Sequence, residues 1–269
     1  MVQLQKFSEL LQSTSLDDAM AEVENAVWQN PSALNHRMAL FQILIMNGAW
    51  ERALKQLYTC YRLSDSLSKI AETYGDLIRA ERQREQVFSG KRAPAFLGEK
   101  PIWAEVMTQA IGYQEQKNYD LADTLRLQAF AQTSDVVCTV ETTSNVFEVS
   151  WITDVDSRIG PTIEIMYCGR YFWVPIEQIQ ELRFYPIEDL RDLVWRAIEI
   201  RLKNGEELMQ GFMPARYPYS YLFGEDEKLS KKTSWQMQGQ TGNCGFGQKM
   251  WMSEDCDFSV NECNTLIFK

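Results

Sequence analysis

Residues Trp151–Trp195 read WITDVDSRIGPTIEIMYCGRYFWVPIEQIQELRFYPIEDLRDLVW. This stretch packs β-branched and aromatic residues between tight-turn signals, and it divides a helical first half from a strand-rich second half. Thr162–Tyr167 and Tyr171–Val174 read as strands joined through Cys168-Gly169, and Val146–Ile152 precedes them as a third. Downstream, Ile198–Leu202 and Glu207–Phe212 flank Asn204-Gly205, a strong hairpin signal because both turn residues tolerate positive φ. Further strands are expected near Thr233–Met237, Lys249–Met252 and Thr265–Phe268. Many short strands joined by tight turns predict a small antiparallel, barrel-like domain over residues 133–269.

Residues 1–132 carry a period near 3.6 instead. Leu4, Phe7 and Leu11 share a face over residues 2–12. Asp17 and Asp18 open a helix that runs to Pro31. Leu34, Met38, Phe41 and Ile45 mark the next, ended by Asn47-Gly48. Trp50, Leu54, Leu57 and Tyr61 mark a fourth, and a fifth starts near Ser68. Lys100-Pro101 starts another, and the last covers about residues 119–131. Ala19, Val23 and Ala26 fall 34 residues before Ala53, Leu57 and Cys60, the period of tetratricopeptide helix pairs. The expected architecture is therefore α+β in two domains, with a tetratricopeptide-like helical domain at 1–132 whose stacked pairs leave a groove on one side.

Composition narrows the function. The chain has 269 residues and a formal charge of −10. Residues 1–132 hold 14 Lys/Arg against 16 Asp/Glu, and residues 133–269 hold 13 against 21. An acidic second half argues against nucleic acid, whose binding needs a basic surface. The opening MVQLQKFSELLQ is too polar for a signal-peptide core, and no run approaches the roughly eighteen apolar residues of a membrane span. A cytoplasmic protein is expected. The six cysteines show no C-x-x-C spacing and read as reduced, mostly buried thiols. Arg79, Arg82, Arg84, Lys91 and Arg92 form the one basic concentration, read as cations offsetting a helix C-terminus.

No catalytic grammar is present. The only histidine, His36, has no nucleophile motif beside it. Asp154-Val155-Asp156-Ser157-Arg158 has the look of a D-x-D metal loop but lacks a phosphate cradle, so Arg158 bridging the carboxylates is the better account. Glu188, Asp189, Arg191 and Asp192 read as a charged turn that fixes its loop. Gly242–Gly247 lacks a strand–turn–helix context and reads as a tight turn. No cofactor or metal is expected. Two other readings stay open. One is a metal-dependent enzyme using the Asp154/Asp156 loop. The other is a scaffold that binds mainly through β-domain aromatics, namely Tyr217, Tyr219 and Tyr221.

Three segments, DVDSRIGPTIEIMYCGRYFWVP (154–175), DLRDLVW (189–195) and PARYP (214–218), resemble the ImpE/TagJ family of bacterial type VI secretion accessory proteins. NGAWERALKQL (47–57) and LIRAERQREQVFSGKRAPAFLGEKPIW (77–103) are similar to that family's first half. The family's motif loops fall here on Asp154, Asp156, Ser157, Arg158, Asp189, Arg191, Asp192, Trp195, Arg216 and Tyr217. Where the family continues PARYP with Gly-Ser-Glu, this chain has Tyr219-Ser220-Tyr221, and Lys249 closes the segment that usually reads G-x-G-Q-R. The resemblance implies a non-enzymatic adaptor that binds the small contractile-sheath subunit and is linked, directly or indirectly, to the AAA+ unfoldase that recycles sheath. Under that reading Met38, Phe41, Trp50, Leu54 and Tyr61 line the groove for an amphipathic sheath helix. Leu4, Phe7 and Leu11 are either a packed first helix or a short motif for the unfoldase.

Overall fold

The computed structural model describes residues 14–205 and 207–269. The predicted face of Leu4, Phe7 and Leu11 lies outside the described residues. The helices of the first half are α1 Leu16–Gln29, α2 Leu34–Met46, α3 Trp50–Leu63, α4 Ser68–Phe88, α5 Ile102–Glu115 and α6 Tyr119–Phe130. Local signals place them. Ser15 caps α1 by accepting from the Asp18 amide, with Asp17 and Asp18 in the positively polarised first turn. Gly48 turns α2 into α3 at φ +65°, and a Cβ there would stand 2.4 Å from the Tyr221 ring. Both the conformation and the approach of that ring demand glycine. No described helix is long and apolar enough to cross a membrane.

Every residue of α2 from Leu40 to Met46 is buried, so the second half of this helix has no solvent face. It is enclosed by α1, α3 and the 190–193 turn of the second half. The expected one-sided stripe is widened by these tertiary neighbours.

The second half is strand-rich, and the chain is α+β. Its strands are β2 Cys138–Thr142, β3 Val146–Val149, β4 Thr153–Asp154, β5 Thr162–Tyr167, β6 Arg170–Pro175, β7 Ile179–Phe184, β8 Trp195–Leu202, β9 Met209–Pro214, β10 Thr233–Gln238, β11 Gly242–Gly247, β12 Met250–Met252, β13 Asp257–Ser259 and β14 Cys263–Phe268. A short β1, Ala95–Phe96, comes from the helical half, and a single turn, α7, covers Glu225–Lys228. Nine strands form one sheet in the order β1-β6-β5-β9-β8-β7-β14-β2-β3, antiparallel except for β1 beside β6. Its two ends do not meet. Among the described residues the sheet is open, and the expected barrel-like closure is not found. Small sheets β10-β11 and β13-β12-β4 lie beside it.

This sheet is a middle layer. Along β5, Met166 joins the core shared with α2, α3 and α4, while Ile163 and Ile165 join a second core with Trp251 and Phe258. On β6, Tyr171 and Trp173 face the helices and Val174 faces the second core. Period-two alternation with both faces covered leaves no polar face on these strands. Glu164 therefore lies wholly inside.

Candidate functional site

α3 and α4 fold back on each other through a short turn, and a groove of about 760 Å³ opens between them. Leu54, Tyr58 and Tyr61 line it from α3, and Ala71, Gly75 and Ile78 from α4, each set at helical steps of four and three. Tyr58 is 63% exposed and Tyr61 43%. Glu72, Asp76, Arg79 and Arg82 form a charged rim. Arg79 pairs with Asp76 at 2.8 Å and Arg82 with Glu51, both in solvent. Such pairs contribute about 0–1 kcal/mol, so an incoming charge can replace them at little cost.

Of the residues predicted for this role, Leu54 and Tyr61 line the groove and Met38 is half-buried against the core. Phe41 and Trp50 are not available. Phe41 is 0% exposed with its edge on Tyr74, and Trp50 is 7% exposed against Trp195 and Tyr221. The second half of the chain covers that side of α3, which helical spacing alone does not reveal. Tyr58 was legible, since it sits four residues after Leu54. Gly75 carried no sequence signal.

The opposite face of α4 is held by a buried ionic network. Arg84 forks onto Glu164, Nε to Oε1 at 2.7 Å and Nη2 to Oε2 at 3.0 Å, and its Nη1 donates to Glu81 at 2.9 Å. Arg84 reads in the sequence as one of the cations offsetting a helix C-terminus; it is instead 1% exposed and ties helix to sheet. Glu164 also accepts from Tyr171 Oη at 2.6 Å and Lys249 Nζ at 2.7 Å. Lys249 reaches on to Asp154 Oδ2 at 2.7 Å as an ion pair whose angle is poor for a hydrogen bond. Tyr217 Oη donates to Asp154 Oδ1 at 2.8 Å, and Trp195 Nε1 donates to Glu81 at 2.9 Å. Burial alone would raise the Glu164 carboxyl, but Arg84 and then Lys249 outweigh it and hold it far below the usual carboxylate range.

The other motif loops support this network. Arg158 forks onto Asp156 alone, and does not bridge the two aspartates. Asp156 also accepts from the Gly245 amide at 2.9 Å. Each oxygen of the D-x-D pair is thus engaged by a cation, a hydroxyl or an amide. The Ser157 hydroxyl donates to the Asn243 carbonyl at 3.3 Å. Arg216 caps the C-terminus of α2, donating to the carbonyls of Ile45 at 2.8 Å and Met46 at 2.9 Å. Burial lowers its pKa to about 10, which keeps it charged at neutral pH. Asp189 accepts from the Arg191 amide, Asp192 closes the capping box, and Arg191 lies 4.8 Å over the Tyr74 ring. This is the loop-fixing arrangement expected of that turn.

Two sequence readings are corrected here. Gly242–Gly247 is no turn but strand β11. Gly245 is required there because a Cβ would stand 2.4 Å from the Tyr217 ring. Tyr217, Tyr219 and Tyr221, which the alternative scaffold reading takes as exposed contacts, turn inward. Tyr219 Oη donates to the Glu85 carbonyl at 2.7 Å and Tyr221 Oη to the Glu85 carboxylate at 2.8 Å.

Burial pushes the Asp154 carboxyl up to about 6, with Lys249 opposing and Asp156 assisting. The folded state therefore holds this proton where the unfolded chain, near 3.8, has lost it. Asp154 thus costs stability as pH rises from about 4 to 6, at most on the order of 3 kcal/mol. Glu164 acts in another window, losing its stabilisation only as pH falls below about 4.5. Asp154→Asn places an amide against the Lys249 ammonium, so absolute stability changes. The readout is the slope. Urea midpoints measured across pH 4–6 should fall in the wild type relative to the variant, and parallel curves would refute the assignment.

Residues 147–267 match the family model described as ImpE protein. The chain is 32% identical to the type VI secretion system accessory component TagJ of Pseudomonas aeruginosa, over 97% of this chain and 90% of that protein. Its fold is also that of the crystal structure of protein VPA1032 from Vibrio parahaemolyticus, with a TM-score of 0.88 and 24% identity over 98% of this chain and 97% of the other.

Proposed function

Because the chain belongs to the ImpE/TagJ family, we propose that it is a non-enzymatic adaptor of type VI secretion acting in the cytoplasm. In this reading its tetratricopeptide-like helix pairs take an amphipathic helix of the small contractile-sheath subunit and link the sheath to its recycling ATPase. The observation that carries the reading is the α3–α4 groove. It presents an aromatic and aliphatic floor at helical spacing inside a charged rim, which suits a helix laid apolar face inward. The buried network supports it indirectly: α4 is fixed from behind, so the groove wall is already shaped before a ligand arrives. The rival readings gain nothing from the geometry, since the D-x-D carboxylates are occupied and the three tyrosines face inward.

Tyr58→Glu combined with Tyr61→Glu should abolish co-purification of the full chain with the small sheath subunit. Both side chains stand in solvent, so the melting temperature should hold. Undiminished retention by the folded variant would remove the proposal.

A further inference from the structure

Strand β10 has one satisfied edge and one free edge. Within its sheet it pairs with β11 alone, and among the described residues no strand lies on its outer side. The Gln248 amide donates to the Lys232 carbonyl at 3.1 Å. Antiparallel alternation from that bond turns Ser234, Gln236 and Gln238 toward β11, and the backbone groups of Thr233, Trp235 and Met237 outward. Proteins guard such edges with proline, charge, a bulge or a cover. Thr233–Gln238, reading TSWQMQ, has no proline and no charge, and its register with β11 runs without a shift. Trp235 is 38% exposed and Met237 60%. The ends of the large sheet differ: β3 carries Glu148 paired with Lys269, and β1 is two residues long.

We infer that the outer edge of β10 is where two copies of this chain pair, strand against strand across a two-fold axis. An antiparallel pairing centred on Trp235 sets Trp235 opposite its counterpart and Thr233 opposite Met237 of the second copy. Each of these pairs exchanges backbone hydrogen bonds through the outward groups. No like charges meet, because the strand is neutral. The same register brings Lys231 opposite Gly239 of the second copy. There the Asp123 carboxylate stands against the turn, accepting from the amides of Gln240 at 2.7 Å and Thr241 at 2.9 Å. Asp123 is already paired with the buried Arg126 at 3.2 Å, so Lys231 meets a neutral turn and no repulsion arises at either end. Beside Trp235 a cleft of about 340 Å³, lined by Val155, Thr233 and Met250, receives the Trp235 and Met237 side chains that the second copy brings to that face.

Light scattering of the full chain over roughly 1 μM to 1 mM tests this. The mass should rise from one copy to two in the wild type. Met237→Pro removes an outward amide at a position where an edge strand tolerates proline, and Met237→Lys places an ammonium on the face of the pairing that carries Lys231 of the second copy. Both variants should stay single throughout and melt with the dilute wild type. A wild type that remains single over the whole range overturns the inference, as does a doubled mass that survives both substitutions. A chain that doubles only after residues 1–13 are removed assigns the edge to that segment and overturns it equally.

Discussion

Glu164→Gln is expected to lower the stability of the chain by about 3–5 kcal/mol, a large share of the roughly 5–15 kcal/mol that a native protein holds. The carboxylate sits between Arg84 and Lys249 with every partner buried. Glutamine keeps the shape and loses the charge, leaving two cations inside the protein with one fewer counter-charge. Desolvation then opposes folding with reduced Coulombic return. The loss falls between α4 and β5, so it loosens the joint of the two halves as well as a single side chain. The control is Glu148→Gln, which breaks the Lys269 ion pair in solvent and should leave the urea midpoint in place. A Glu164→Gln midpoint that matches the wild type would mean the network does not hold the halves together.

The parts of the fold that were legible are those set by neighbours in sequence. The starts of α1 to α6 follow from caps, turn residues and a 3.6 period, and β5, β6 and the β8–β9 hairpin follow from alternation and Asn204-Gly205. Strand β7 escaped because its pairing with β8 shifts register between Ile179 and Glu181, which interrupts the period of two. The glycines of β11 read as a turn because the rings that require them, Tyr217 and Trp235, approach from other elements. The ionic network was hidden for the same reason. Arg84 lies 80 residues from Glu164 in sequence, so its charge reads as surface until the sheet is assembled. Alternation alone would have placed Glu164 on a solvent face, but the helices cover that face. Likewise, helical spacing puts Leu54 and Tyr61 on the side of α3 that lines the groove, and could not reveal that Trp50 is covered by Trp195.

Gly75→Trp should weaken binding of the small sheath subunit by at least about 30-fold, the scale of a lost interface hot spot. Gly75 lines the groove at mid-helix, and a Cβ added there meets only Leu54 Cδ2, at 4.0 Å. An indole therefore enters the groove without forcing the backbone. Removing a mid-helix glycine favours α4 by several tenths of a kcal/mol or more, so folding is spared while the space for a ligand helix is filled. Gly75→Ala adds one methyl group, gains at least as much helical preference and should retain binding. The contrast between the two variants separates occupancy of the groove from any change in α4 itself.

The decisive measurement is a titration of the small sheath subunit into the full chain, into Gly75→Ala and into Gly75→Trp, with melting temperatures recorded alongside. Saturable binding to the first two and a loss of about 30-fold or more in the third is the expected result. Equal affinities for all three, with the fold intact, would contradict the groove between α3 and α4 as the binding surface.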